Sequence, residues 1–280
     1  MKTILVPTDF SPAATNAAKY ALNIAINVKA EIKLCNAVTV PAESVYAAQV
    51  AWPMDDYTAL KESADSELIY QAGLLEDSIG EGYHPRVCYS TGVGNVTDYV
   101  RNLVEDDDVN LVVMGMSGAN MFSKFLLGSN SRSLIDKADF PLLLIPKQHE
   151  YQSIKRIGFA TDLSSADIDA LNSVANFARY FNAEIVVSHV MESPEEHRRA
   201  EDFLSEVGCK INYPHIYYRG MQNEGVTAGL KWLTENGQID MLVMIHRPHG
   251  IFDASYTQKL AVKTKIPLMV LPDGFSKVLI

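Results

Sequence analysis

The sequence predicts an α/β protein made of two tandem, doubly wound parallel sheets of five strands each. Three observations predict it. The chain has 280 residues, too many for one ordinary domain and comfortable for two. Residues 1–41 align with 154–194 without a gap, at an offset of 153, and thirteen of those 41 positions are identical. Within each copy, short apolar runs alternate with stretches of helical periodicity, the signature of strands joined by crossover helices.

The repeat is long, so it is a duplicated domain and not a solenoid of small units. MKTILVPTDFSPAATNA lies over IKRIGFATDLSSADIDA, and the pair Thr8-Asp9 with Ser11 lies over Thr161-Asp162 with Ser164. The ends match too: DDDVNLVVM (106–114) resembles GQIDMLVM (237–244), and DFPLLLIP (139–146) resembles KIPLMVLP (265–272). The expected domains are 1–147 and 153–280, with the seam in the polar stretch from Lys147 to Gln152.

In the first copy, Thr3–Pro7 is a short apolar run that reads as a strand. From Ser11 to Val28, alanines and Leu22 recur at helical spacing, and Ser11-Pro12 suits an N-cap and first turn. Glu31–Ala37 is the second strand. Residues 55–80 form a helix with Leu60, Ala64, Leu68, Ala72 and Leu75 on one face. Arg86–Tyr89 is a weak third strand, and 96–105 a helix. Leu111–Met114 and Leu142–Ile145 are solid apolar runs, as strands buried on both faces require, with a helix over 129–137 between them. The second copy repeats this plan, with strands at 156–160, 184–190, 215–218, 241–245 and 268–271. Residues 38–54 have no counterpart there and read as a long loop, either a plain surface connection or a lid or docking segment.

Composition narrows the function. Apolar residues make up 48% and charged residues 21%, as in a globular protein, and the formal charge is −10. That balance disfavours a general nucleic-acid binder and an anionic-membrane binder. No apolar run is long enough to span a bilayer, and the N-terminus meets Pro7 and Asp9 too early for a signal-peptide core. Cys35, Cys88 and Cys209 are far apart, so a reducing cytoplasm is the expected location. The acidic run Asp106-Asp107-Asp108 reads as a solvated turn.

After the fourth strand of the first copy comes MGMSGANMFSKFLLGSNS, with Gly115, Gly118 and Gly128 followed by Ser129 and a helix. Glycines let backbone N–H groups converge on one point and let phosphate oxygens approach closely. The helix opening at Ser129, Asn130 and Ser131 adds free N–H groups and a positive dipole end. Lys124 and Arg132 are nearby cations. No Walker A loop occurs.

A VPTDFS first strand, GxxG-x9-GS after the fourth strand and a fifth strand ending in Pro together resemble the universal stress protein family. The full-length plan resembles its tandem two-domain members. The resemblance implies a Rossmann-like, adenine-nucleotide-hydrolase-like fold, and the two copies paired through their last strands as an intrachain pseudo-dimer, with a homodimer of chains also open. It implies ATP as ligand, with ADP or AMP as alternatives, Mg²⁺ as companion and an unidentified protein partner. By the same resemblance, Pro7, Thr8 and Asp9 border the adenosine, and Ala37 meets adenine through its backbone. Met114 and Gly115 lie beside ribose and phosphates, and Gly118, Gly128, Ser129, Asn130 and Ser131 hold the phosphates. Asn36 stands where the family commonly has His, which the second copy keeps as His189.

The second copy lacks the glycine motif: Ile245 replaces Gly115, and Ala254-Ser255-Tyr256-Thr257 replaces the Gly-Ser opening. It is not expected to bind ATP in the same way. His246 and His249 with Asp253 form either a metal site or an ordinary polar loop. Three functions remain open: an ATP-binding stress-response module, a slow ATP-hydrolysing enzyme, and a nucleotide-free interaction scaffold. No positioned base and nucleophile favour the enzyme.

Overall fold

The computed structural model describes residues 2–38, 54–116, 129–191, 196–222, 225–247 and 254–280. The N-terminal half runs β1 (Thr3–Pro7), α1 (Pro12–Val28), β2 (Glu31–Val38), α2 (Met54–Asp77), β3 (Val87–Val93), α3 (Val96–Asp106), β4 (Val109–Met116), α4 (Ser129–Lys137) and β5 (Leu142–Pro146). The C-terminal half repeats the order with β6 (Arg156–Ala160), α5 (Asp167–Arg179), β7 (Glu184–Met191), α6 (Glu196–Lys210), β8 (Ile216–Gln222), α7 (Val226–Asn236), β9 (Met241–His246), α8 (Ala254–Lys263) and β10 (Leu268–Pro272).

Each half has the strand order 3-2-1-4-5, and the two halves join into one sheet of order β3-β2-β1-β4-β5-β10-β9-β6-β7-β8. The join is the only antiparallel pairing among the described strands: Leu142, Leu143 and Leu144 face Val270, Met269 and Leu268. These residues are at most 3% exposed, so the seam is core and not a polar contact between separate bodies. The two five-stranded sheets expected from the sequence are therefore continuous at their last strands.

Local chemistry explains where the elements begin and end. The Ser11 side chain accepts the Ala14 N–H at 3.2 Å, capping α1, and Pro12 fills the first turn where no donor is needed. β3 extends to Val93, four residues beyond the weak run read from sequence. Its pairing with β2 continues to Val38–Val93, so the backbone ladder carries a strand that its side chains hardly announce. The aspartate run forms a turn, with Asp107 closing α3 and Asp108 left-handed at φ 52°.

Strand order reverses direction between β1 and β4, and between β6 and β9. In an open parallel sheet this is where a crevice opens beyond the carboxyl ends of the strands.

Candidate functional site

At that crevice in the N-terminal half lies a cavity of about 360 Å³. Pro7, Thr8 and Asp9 line it from the end of β1, Ala37 from β2, Met114 and Gly115 from β4, and Asn130 and Ser131 from α4. Eight of the eleven residues singled out in the sequence thus converge on one space. Ser129 begins α4, while Gly118, Gly128 and the cation Lys124 lie outside the described residues. Arg132 is described and exposed, and it is not among the cavity residues.

The floor is held by short-range hydrogen bonds. The Thr8 hydroxyl accepts the Phe10 N–H at 3.0 Å and donates to Gln71 at 3.3 Å. The Asp9 carboxylate accepts the Ser11 N–H at 3.0 Å, which turns the chain into α1 while the residue stays exposed. Asn36 donates its amide to the Thr8 carbonyl at 2.8 Å. In the other half, His189 Nδ1 makes the same bond to the Thr161 carbonyl at 2.9 Å. The Asn-for-His departure therefore keeps one hydrogen bond with different chemistry. Burial pushes the Cys35 thiol up to about 12, so it lines the cavity as a neutral, apolar surface.

Gly115 is also constrained by the fold itself. A Cβ there would lie 2.4 Å from the Ala13 carbonyl oxygen and 2.9 Å from the Ala14 N. Its glycine permits β4 to pack against the first turn of α1. The C-terminal half, with Ile245 at this position, starts α5 at Asp167, two residues later by the repeat register than α1.

Sequence reasoning missed the wall made by α3. Val96, Tyr99 and Val100 line the cavity. The Tyr99 ring lies over Gly92, where a Cβ would come within 2.3 Å of it. Its hydroxyl hydrogen-bonds Ser90 at 2.5 Å. Burial raises the phenol above its usual range, opposed by that hydrogen bond.

Strand pairing gives the equivalent positions in the C-terminal half: Val190 for Ala37, Met221 for Gly92, Ile245 for Gly115 and Arg247 for Ser117. The α3 and α7 starts place Gly229 at the Tyr99 position. In the half without the motif, these positions carry packed side chains. Val190 and Met221 are 6% and 4% exposed, and Gly229 leaves only 2.4 Å between a would-be Cβ and Val190. Arg247 contacts Asp162 at 2.8 Å, Asp273 at 3.1 Å, and the buried Asp167. Asp162 is the counterpart of Asp9, so the carboxylate that is open in one half is neutralised by an internal guanidinium in the other. The sequence signal was present in the repeat register, read across β3, α3 and β4 and not along β1 alone.

Among the described residues no three metal-ligating side chains cluster. His246 is buried at the end of β9; His249 and Asp253 lie outside the described residues. No described helix is long and apolar enough to cross a membrane.

Residues 1–146 match the family model of the universal stress proteins. The universal stress protein MJ0531 of Methanocaldococcus jannaschii is 26% identical over 146 residues, which cover 52% of this chain and 82% of that protein. Among solved structures, a universal stress protein from Archaeoglobus fulgidus superposes with a TM-score of 0.76 at 17% identity, covering 96% of this chain and 98% of the other. The cytoplasmic domain of a prokaryotic cation chloride cotransporter superposes at 0.59 with 13% identity, covering 99% and 98%. At these identities the structural likeness speaks for the fold alone.

Proposed function

The chain belongs to the universal stress protein family, and from that premise we propose that it is an adenine-nucleotide-binding regulatory protein holding one nucleotide, ATP, in its N-terminal half. The observation that carries the reading is the contrast between two equivalent crevices. One keeps a cavity of about 360 Å³ lined by Ala37, Gly115 and the start of α4. The other carries Val190, Met221 and an ion-paired Arg247 at the equivalent positions. Two domains, 1–147 and 153–280, divide the labour: the first binds, and the second completes the sheet through β10.

The base is read by backbone. Pro7 is the last residue of β1 in register with β2, opposite Cys35, whose carbonyl accepts the Thr8 N–H at 2.8 Å. Peptide groups alternate sides along a strand of a parallel ladder, so Ala37 turns its N–H and C=O to the same side as Cys35, beyond the end of β1. One donor beside one acceptor complements adenine, which offers a ring-nitrogen acceptor and an amino donor; guanine presents the opposite pair on that edge. The first turn of α4, with Asn130 and Ser131, supplies N–H groups and a positive dipole end for phosphates. Mg²⁺ enters the proposal as a companion of those phosphates.

Equilibrium titration with ATP and GTP tests the reading. ATP is expected to bind, with GTP at least about tenfold weaker, since mismatching both hydrogen bonds leaves polar groups unpaired. Equal affinity for GTP would contradict adenine recognition by Ala37.

A further inference from the structure

We propose that Tyr99 is the aromatic wall of the base subsite and favours a purine there; this rests on the nucleotide reading above. Three features converge on that side chain. The residue lines the cavity from α3 beside Val96 and Val100. Its ring occupies the space over Gly92, where a Cβ would come within 2.3 Å. Its hydroxyl is anchored to Ser90 at 2.5 Å, which limits swinging of the ring.

The C-terminal half supplies the natural counter-case. There Gly229 stands in the Tyr99 position and Met221 in the Gly92 position, and Val190 and Met221 occupy the region from the strand side. The two halves thus hold reciprocal packings: a large helix residue over a small strand, and a small helix residue over large strand side chains. The first borders a cavity with an aromatic ring. The ring stands beside Ala37, over the strand residue paired with it. A purine presents more surface to such a ring than a pyrimidine does and gains more dispersion contact there.

The test is calorimetric titration of the full chain with ATP and with CTP, on wild type, Tyr99→Ala, Tyr99→Phe, Gly92→Ala and the Gly92→Ala/Tyr99→Ala double variant, each checked by circular dichroism. Tyr99→Ala is expected to weaken ATP at least about fivefold and to shrink the preference for ATP over CTP, as base–aromatic contacts elsewhere do. Tyr99→Phe keeps the ring and stays within about threefold of wild type. Gly92→Ala pushes the ring toward the cavity and weakens ATP, and it has no further effect once Tyr99 is Ala, because the two substitutions act through one contact. ATP binding by wild type that is unchanged in a folded Tyr99→Ala, with its preference over CTP intact, would overturn this inference alone. A folded wild type that binds neither nucleotide would overturn the nucleotide reading and this inference with it.

Discussion

Removing the Arg247 guanidinium tests how the C-terminal half closes its own crevice. Arg247→Ala leaves Asp167, 1% exposed, without its cation. Among the described residues, the Thr161 hydroxyl, donating to it at 2.6 Å, remains as its partner. Truncating one member of a buried ion pair costs about 3–5 kcal/mol. Asp162 and Asp273 are 24% and 50% exposed, so solvent screens their share to at most about 1 kcal/mol each. Arg247 itself keeps 13% exposure, which puts the expected loss near the low end, ~3 kcal/mol. That lowers the thermal midpoint by roughly 6–12 °C. The loss depends on pH. Burial raises the Asp167 carboxyl above the usual carboxylate range, while the Thr161 hydroxyl and Arg247 pull it down. Without Arg247 the folded-state value climbs further. A carboxyl raised in the folded state contributes stability below its unfolded pKa and loses it as pH rises through the folded value. The variant's deficit is therefore smallest near about pH 4 and grows toward about pH 7. Thermal unfolding of both proteins across that range measures it. A variant as stable as wild type near neutrality, or a deficit that does not change with pH, would refute the reasoning.

Other substitutions test the remaining contacts. Asn36→Ala removes the donor to the Thr8 carbonyl and is expected to cost ~1 kcal/mol in urea unfolding; Asn36→His recovers most of it, as His189 makes the same bond in the other half. Gly115→Ala sets a methyl against the Ala13 carbonyl, a backbone atom with little room to give, and is expected to lose about 1–3 kcal/mol, measured the same way. Burial lowers the His149 imidazole below its usual value, with the Lys265 carbonyl opposing. A histidine depressed in the folded state loses stability as pH falls from its unfolded pKa of about 6.5 through the folded value, so His149→Gln should flatten the pH dependence of stability below about pH 7.

Much of the fold was legible in the sequence because its strands are buried on both faces and its repeat is nearly gapless. β1, β4 and β5 appear as unbroken apolar runs, and Ser11-Pro12 announces α1. The full extent of β3 was not legible: Ser90 and Gly92 interrupt the strand-forming pattern, and the segment is placed by pairing with β2. In the candidate site, the strand-end residues were readable because a parallel sheet puts its crevice there. Tyr99 was not, because its meaning depends on Gly92 seven positions earlier, across a turn. Arg247 was invisible for a similar reason. One arginine after a strand says nothing until Asp162, Asp167 and Asp273 arrive from three other segments. Gly115 carries a constraint that its sequence position does not announce, the close approach of α1.

In the proposed division of labour, one half binds nucleotide because the other half's packing is absent from it. Transplanting that packing into the N-terminal half tests the claim directly: Ala37→Val, Gly92→Met and Tyr99→Gly together reproduce the Val190, Met221 and Gly229 arrangement, which already packs once in this chain. The glycine in α3 costs about 1 kcal/mol of helix stability, so folding is verified by circular dichroism before calorimetric titration with ATP. One ATP per wild-type chain and none for the folded triple variant is the expected result. Two sites per wild-type chain, no binding by wild type, or undiminished binding by the triple variant would contradict it.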